Sequence, residues 1–77
     1  MDLRETFAAN LRRCRHDKKL SQEELAHEAN VNRTYLSKLE KGVSYVGLEI
    51  IGKLAAVLEI EPAELLKPLP RKARRRS

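Results

Sequence analysis

Residues 20–42, LSQEELAHEANVNRTYLSKLEKG, hold two helix starts and two helix stops in one short stretch. Ser21-Gln22-Glu23-Glu24 reads as a capping box. In it the Ser21 hydroxyl accepts from the Glu24 backbone N–H, and the Glu24 carboxylate reaches back to the Ser21 N–H. Leu20 before the box can staple against Leu25 behind it. Asn30 is one of the few non-glycine residues that tolerate the left-handed conformation ending a helix. Asn32 caps a second helix almost at once, and Gly42 stops it. Leu25, Ala26 and Ala29 are the inward set of the first helix, and Leu36 and Leu39, with Val31 and Tyr35, that of the second. Small Ala26 and Ala29 sit where the second helix must cross close to the first.

The flanks fit an all-α chain. Leu3, Phe7, Leu11 and Cys14 are spaced by four, four and three residues, which marks one face of a helix over about residues 3–17, with Asp2 and Glu5 at its N-terminal cap. Gly47 is expected to cap a fourth helix whose inward set is Leu48, Ile51, Leu54, Ala55 and Leu58. Pro62 suits the first position of a last short helix to about Lys67, ended by Pro68 and Pro70. The expected architecture is therefore a compact five-helix domain over residues 1–69, followed by a basic tail over 70–77 too polar to pack. With 4% aromatic residues among 42% hydrophobic ones, the core must be aliphatic. The three Gly and three Pro are few for an all-β fold. No apolar run approaches the roughly 20 residues of a membrane span, and the polar N-terminus does not read as a secretory signal. One cysteine excludes an internal disulfide framework and fits a reducing compartment, so a cytoplasmic, nucleoid-associated protein is expected.

The net charge of +5 is placed unevenly. Residues 1–70 carry eleven basic and eleven acidic side chains, whereas residues 71–77 carry five basic ones and no acid. A polyanion partner is supported, but the charge alone does not make a basic face on the body.

Two short helices joined by a tight turn are helix-turn-helix geometry. A helix that reads DNA needs one apolar face to dock on its own domain and an opposite face able to reach base edges. Residues 32–41 meet both demands. Leu36 and Leu39 point inward, and Arg33, Thr34, Ser37, Lys38 and Lys41 lie on the other side, none of them acidic or large and apolar.

The chain resembles the Cro and phage-repressor helix-turn-helix family, also called XRE. The resemblance covers about residues 4–67 and rests on Leu11-Arg12 and Arg15, on Leu20 to Ala26, on Leu36 to Gly42, on Leu48 to Leu58, and on Glu64-Leu65-Leu66. Arg33-Thr34-Tyr35 and the chain length also resemble the small controller proteins of restriction-modification systems. The resemblance implies a lambda-repressor-like fold and a sequence-specific transcriptional regulator. It implies base contacts from Arg33, Thr34, Ser37 and Lys38, phosphate contact from Gln22, and an Arg15–Glu40 pair locking the first helix to the third. Asn32, Tyr35, Lys41 and Arg12 are further phosphate candidates. The chain departs from the family at Asn30, where Gly is usual, and at Val46 and Gly47, where Pro and Ser are common.

Plainer readings stand beside these. The Arg12–Lys19 cluster suits the negative end of a helix dipole, Tyr35 can be core-edge packing, and Arg15–Glu40 can be a surface pair worth about 0–1 kcal/mol. Cys14, His16 and His27 lack zinc-ligand spacing, and Cys14 falls on the apolar stripe, so no metal and no cofactor are expected. No nucleophile–base set or phosphate-cradling loop is present, and an enzyme is not expected. A protein-interaction module on the same fold and a sequence-independent nucleic-acid binder driven by the tail are the alternatives. The expected partners are double-stranded DNA and a second copy of the chain, with no membrane and no small-molecule ligand. Val46, Ile50, Val57, Ile60 and Leu69 exceed what so thin a core needs and are the expected dimer surface.

Overall fold

The computed structural model describes residues 2–68, and the basic tail and Leu69 lie outside the described residues. Four α-helices follow in order: α1 (Leu3–Asp17), α2 (Gln22–Ala29), α3 (Arg33–Lys41) and α4 (Leu48–Leu58). A 3₁₀ turn, Pro62–Leu65, closes the described chain, and no strand is present among the described residues.

The local signals for these elements act as expected. The Asp2 carboxylate accepts from the Arg4 backbone N–H at 2.9 Å. The Ser21–Glu24 capping box is formed in both directions, at 3.0 and 2.8 Å. Asn32 caps α3 through the Tyr35 N–H at 3.1 Å. Asn30 and Gly42 both end their helices in the left-handed region, at φ 57° and 75°. Gly47 starts α4 without a side-chain hydrogen bond.

The core is aliphatic. Phe7, Leu11 and Cys14 of α1 pack with Leu25, Ala26 and Ala29 of α2, with Leu36 and Leu39 of α3, and with Ile51, Leu54, Ala55 and Leu58 of α4. Leu65 of the 3₁₀ turn completes it. α1 is the central strut and packs on both α3 and the 3₁₀ turn.

Three expectations are corrected. Leu48 is not inward but 85% exposed. It occupies the first position of α4, and helical side chains lean toward the N-terminus, so Leu48 projects past the end of the core. Leu3, at the corresponding end of α1, is 58% exposed for the same reason. The fifth helix is only the 3₁₀ turn. Pro68 disfavours helical backbone at the residue before it, and Lys67 lies in a bend. The carbonyls of Leu65 and Lys67 are taken by the buried Asn10 amide, at 3.0 and 2.7 Å, instead of by a further helical turn.

Candidate nucleic-acid interface

α3 presents two unlike faces. Leu36, Leu39 and Glu40 are buried. On the other side Arg33, Thr34, Ser37, Lys38 and Lys41, together with Gln22 from the start of α2, line one open groove of about 370 Å³. The four base-contact candidates are therefore brought together with the phosphate candidates Gln22 and Lys41.

The first turn of α3 holds no acidic residue, and Arg33 is its opening residue. A cation at the positive end of a helix dipole is disfavoured by about 0.3–1 kcal/mol. Helix stability alone therefore does not select Arg33. Lys38 and Lys41 sit in the last turn, where the dipole favours them.

The remaining phosphate candidates are partly engaged within the protein. Arg12 Nη1 donates to the Glu40 carbonyl, one of the orphan acceptors at the end of α3. The Tyr35 hydroxyl donates to the Tyr45 carbonyl at 2.8 Å, tying α3 to the loop that follows it. Asn32 uses its side-chain oxygen as the α3 cap. Gln22 Nε2 donates to Glu40 Oε1 at 3.0 Å.

Arg15 and Glu40 do meet, and not as a surface pair: their side chains are only 11% and 2% exposed. Arg15 Nε and Nη2 donate to Glu40 Oε2 and Oε1 at 2.7 and 3.0 Å, and Arg15 Nη1 donates to the Leu20 carbonyl at 2.8 Å. One guanidinium thus joins α1, the start of α2 and the end of α3.

Cys14 is buried, and burial pushes its thiol up from the ordinary range. His16 and His27 are exposed. No cluster of three His, Cys, Asp or Glu side chains able to hold a metal occurs among the described residues. No helix is long and apolar enough to cross a membrane among the described residues.

Of the expected dimer surface, Val46, Ile50, Val57 and Ile60 are half-buried against the core, and Leu69 lies outside the described residues. Among the described residues the large exposed apolar side chains are Leu3, Val43, Tyr45, Leu48 and Leu66. Leu3, Tyr45 and Leu66 line an apolar groove of about 650 Å³ with Phe7, Val46 and Ile51, and Arg4 lies over the Tyr45 ring at 4.8 Å.

Sequence reasoning missed Asn10, the Gln22–Glu40 bond and the Tyr35–Tyr45 bond. Only Asn10 carried a local signal, since positions 7, 10, 11 and 14 form a continuous helical stripe with one polar member.

The family described as helix-turn-helix, HTH_3, matches residues 11–65. A hypothetical transcription factor of Neisseria meningitidis serogroup B is 42% identical over 67 residues, 87% of this chain. The chain spans 63% of that relative's length. The control protein C.BamHI of Bacillus amyloliquefaciens is 38% identical over 66 residues, 84% of this chain and 82% of the relative. The crystal structure of the restriction-modification controller protein C.AhdI from Aeromonas hydrophila superposes with a TM-score of 0.78 at 44% identity, covering 80% of this chain and 94% of that one.

Proposed function

The chain belongs to the HTH_3 helix-turn-helix family, and on that premise we propose that it is a transcriptional regulator that reads a (pseudo)palindromic operator through α3 as a homodimer. One observation carries this reading: the base-contact candidates on α3 share a single open groove, while the opposite face of the same helix is buried. α3 enters the major groove. Arg33 and Lys38 donate to guanine O6 and N7, and Thr34 and Ser37 contact either base edges or the backbone beside them. Lys41, and Gln22 at the start of α2, hold the phosphates that fix register.

One such unit reads only a few base pairs, and genomic specificity needs two half-sites. Val46, Ile50, Val57 and Ile60 form the dimer surface, with the exposed Tyr45 and Leu48 at its edge. The half-site centres lie about one DNA turn apart, roughly 34 Å. The likeness to restriction-modification controller proteins supports a role as the controller of such a system. The domain occupies residues 1–69, and the protein works in the cytoplasm, associated with the nucleoid.

Selection of bound sites from random DNA, followed by footprinting and sedimentation of the complex, tests this. A repeated, two-fold related site carrying two chains is the expected result. A monomer on a single unrepeated site removes the dimer, and equal competition by random DNA removes sequence reading altogether.

A further inference from the structure

We propose that Glu40 is a positioning residue for DNA binding, acting through Gln22. The inference rests on the reading above that Gln22 meets the DNA backbone.

The Glu40 side chain is 2% exposed and cannot itself reach a ligand outside the domain. Its carboxylate accepts from Arg15 on one side and from Gln22 Nε2 on the other, at 3.0 Å. A carboxylate paired with a guanidinium only accepts, so the Gln22 atom facing it must be the nitrogen. This fixes which way the amide is turned. Among the described residues the second Nε2–H and the Oε1 atom make no further hydrogen bond, and Gln22 lines the groove that holds Arg33, Thr34, Ser37, Lys38 and Lys41. The second N–H is a donor suited to a phosphate oxygen.

Two consequences follow from that bond. The rotamer freedom of Gln22 is lost on folding and not on binding, which favours association. Glu40 also belongs to α3 itself, and its carbonyl is held by Arg12 of α1. The backbone contact from α2 and the reading face of α3 are therefore set in one register by a single residue.

The test is a double-mutant cycle on the selected site with Gln22→Ala, Glu40→Asp and the double variant. Binding is read by fluorescence anisotropy at a temperature where circular dichroism shows all four proteins folded. Glu40→Asp keeps a charge opposite Arg15 but withdraws the carboxylate by one methylene from both Arg15 and Gln22, and the double-mutant cycle with Gln22→Ala isolates the part that acts through Gln22. Each single variant is expected to bind about tenfold more weakly, and the double variant no more weakly than either. The salt dependence should be unchanged, because the amide carries no charge.

Losses that multiply to about a hundredfold in the double variant, or a folded Glu40→Asp that binds like wild type, overturn the proposal. Wild-type affinity in Gln22→Ala alongside weakened Arg33→Ala overturns it too, while leaving the proposed function standing. If the unsubstituted protein shows no site preference, the function falls and this inference with it. Should Glu40→Asp not fold, the side-chain amide protons of Gln22 in the unsubstituted protein decide by NMR. One proton slowed in exchange supports the proposal, and two exchanging like those of a free glutamine overturn it.

Discussion

Arg15 and Glu40 are 25 residues apart in sequence and meet in a two-pronged ion pair, Nε to Oε2 at 2.7 Å and Nη2 to Oε1 at 3.0 Å. Because both side chains are shielded from water, removing one partner leaves a buried charge uncompensated. Arg15→Ala is therefore expected to cost about 3 kcal/mol or more. Arg15→Met with Glu40→Met should cost less than Arg15→Ala, since no orphaned charge remains. Urea denaturation of the three proteins checks this. A single-variant loss under about 1 kcal/mol would mean that the pair behaves as an exposed one.

Gly42 ends α3 at φ 75°, with its N–H bonded to the Leu39 carbonyl. A Cβ there would meet Arg4 O at 3.6 Å, Glu5 Cα at 3.7 Å and Ala8 Cβ at 3.8 Å, all ordinary contacts. Space is available, so the cost of Gly42→Ala is the left-handed conformation itself, about 1–2 kcal/mol. Gly47→Ala has open space and no positive φ, but Gly47 is the N-cap of α4, a position where Ala is poorer than Gly, so the gain from a stiffer unfolded chain is offset and the change should be near neutral. Chemical denaturation midpoints of the two variants should move in unlike ways.

The parts of this fold legible in the sequence are those set by neighbours along the chain. The Ser21 box, the Asn32 cap and the Asn30 and Gly42 stops each involve residues within one turn, so local chemistry determines them. The buried stripes of α2 and α3 were legible because helical period alone selects them. Leu48 and Leu3 show where period stops being informative: it continues past the end of a core that has no further neighbours to offer. The capture of the 3₁₀ turn by Asn10 spans 55 residues, and the Gln22–Glu40 bond spans 18. Such contacts depend on how helices cross, which no local pattern encodes.

Three surface carboxylates are held below their ordinary values. Asp2 is lowered first by the Arg4 backbone N–H, Glu59 by a hydrogen bond from Lys18, and Glu64 by one from Lys67. In each case the folded state holds the charged form more strongly than the unfolded state does. Stability from these groups is present above the ordinary carboxylate range and is lost as pH falls below it, through the lowered folded values. The melting temperature should be level near neutrality and fall below about pH 4.5. In Lys18→Ala with Lys67→Ala the acid limb should be shallower. An unchanged limb would assign the acid sensitivity to other groups.

The cations of residues 71–77 can neutralise phosphates, but charge alone carries no sequence information. Deleting residues 71–77 should weaken binding to the selected site and to random DNA by similar factors. It should also flatten the log–log salt dependence by at most about 4.5 units per chain, if all five cations contact phosphate. Affinity measured across a salt series on both DNAs checks this. A changed site preference with an unchanged slope would contradict it.

Arg33 and Lys38 line the same groove but stand five positions apart on α3, so they address different base pairs. Arg33 opens the helix, where recognition helices enter the major groove, and its planar fork can pair with O6 and N7 of one guanine. Lys38 is a flexible point charge and discriminates less sharply. Arg33→Ala should cost about 1–3 kcal/mol on the selected site and relax preference at one position per half-site. Lys38→Ala should cost less, or act more evenly across sequences. Both side chains are exposed and contribute nothing to the core, so both variants should keep the wild-type helical signal and lose no stability. Arg33→Ala should even gain slightly in stability, because it removes a cation from the positive end of α3. Site selection repeated with each folded variant decides the matter. If Arg33→Ala keeps the wild-type preference at every position, α3 does not read bases through Arg33, and the specificity must be sought at Thr34, Ser37 or Lys38.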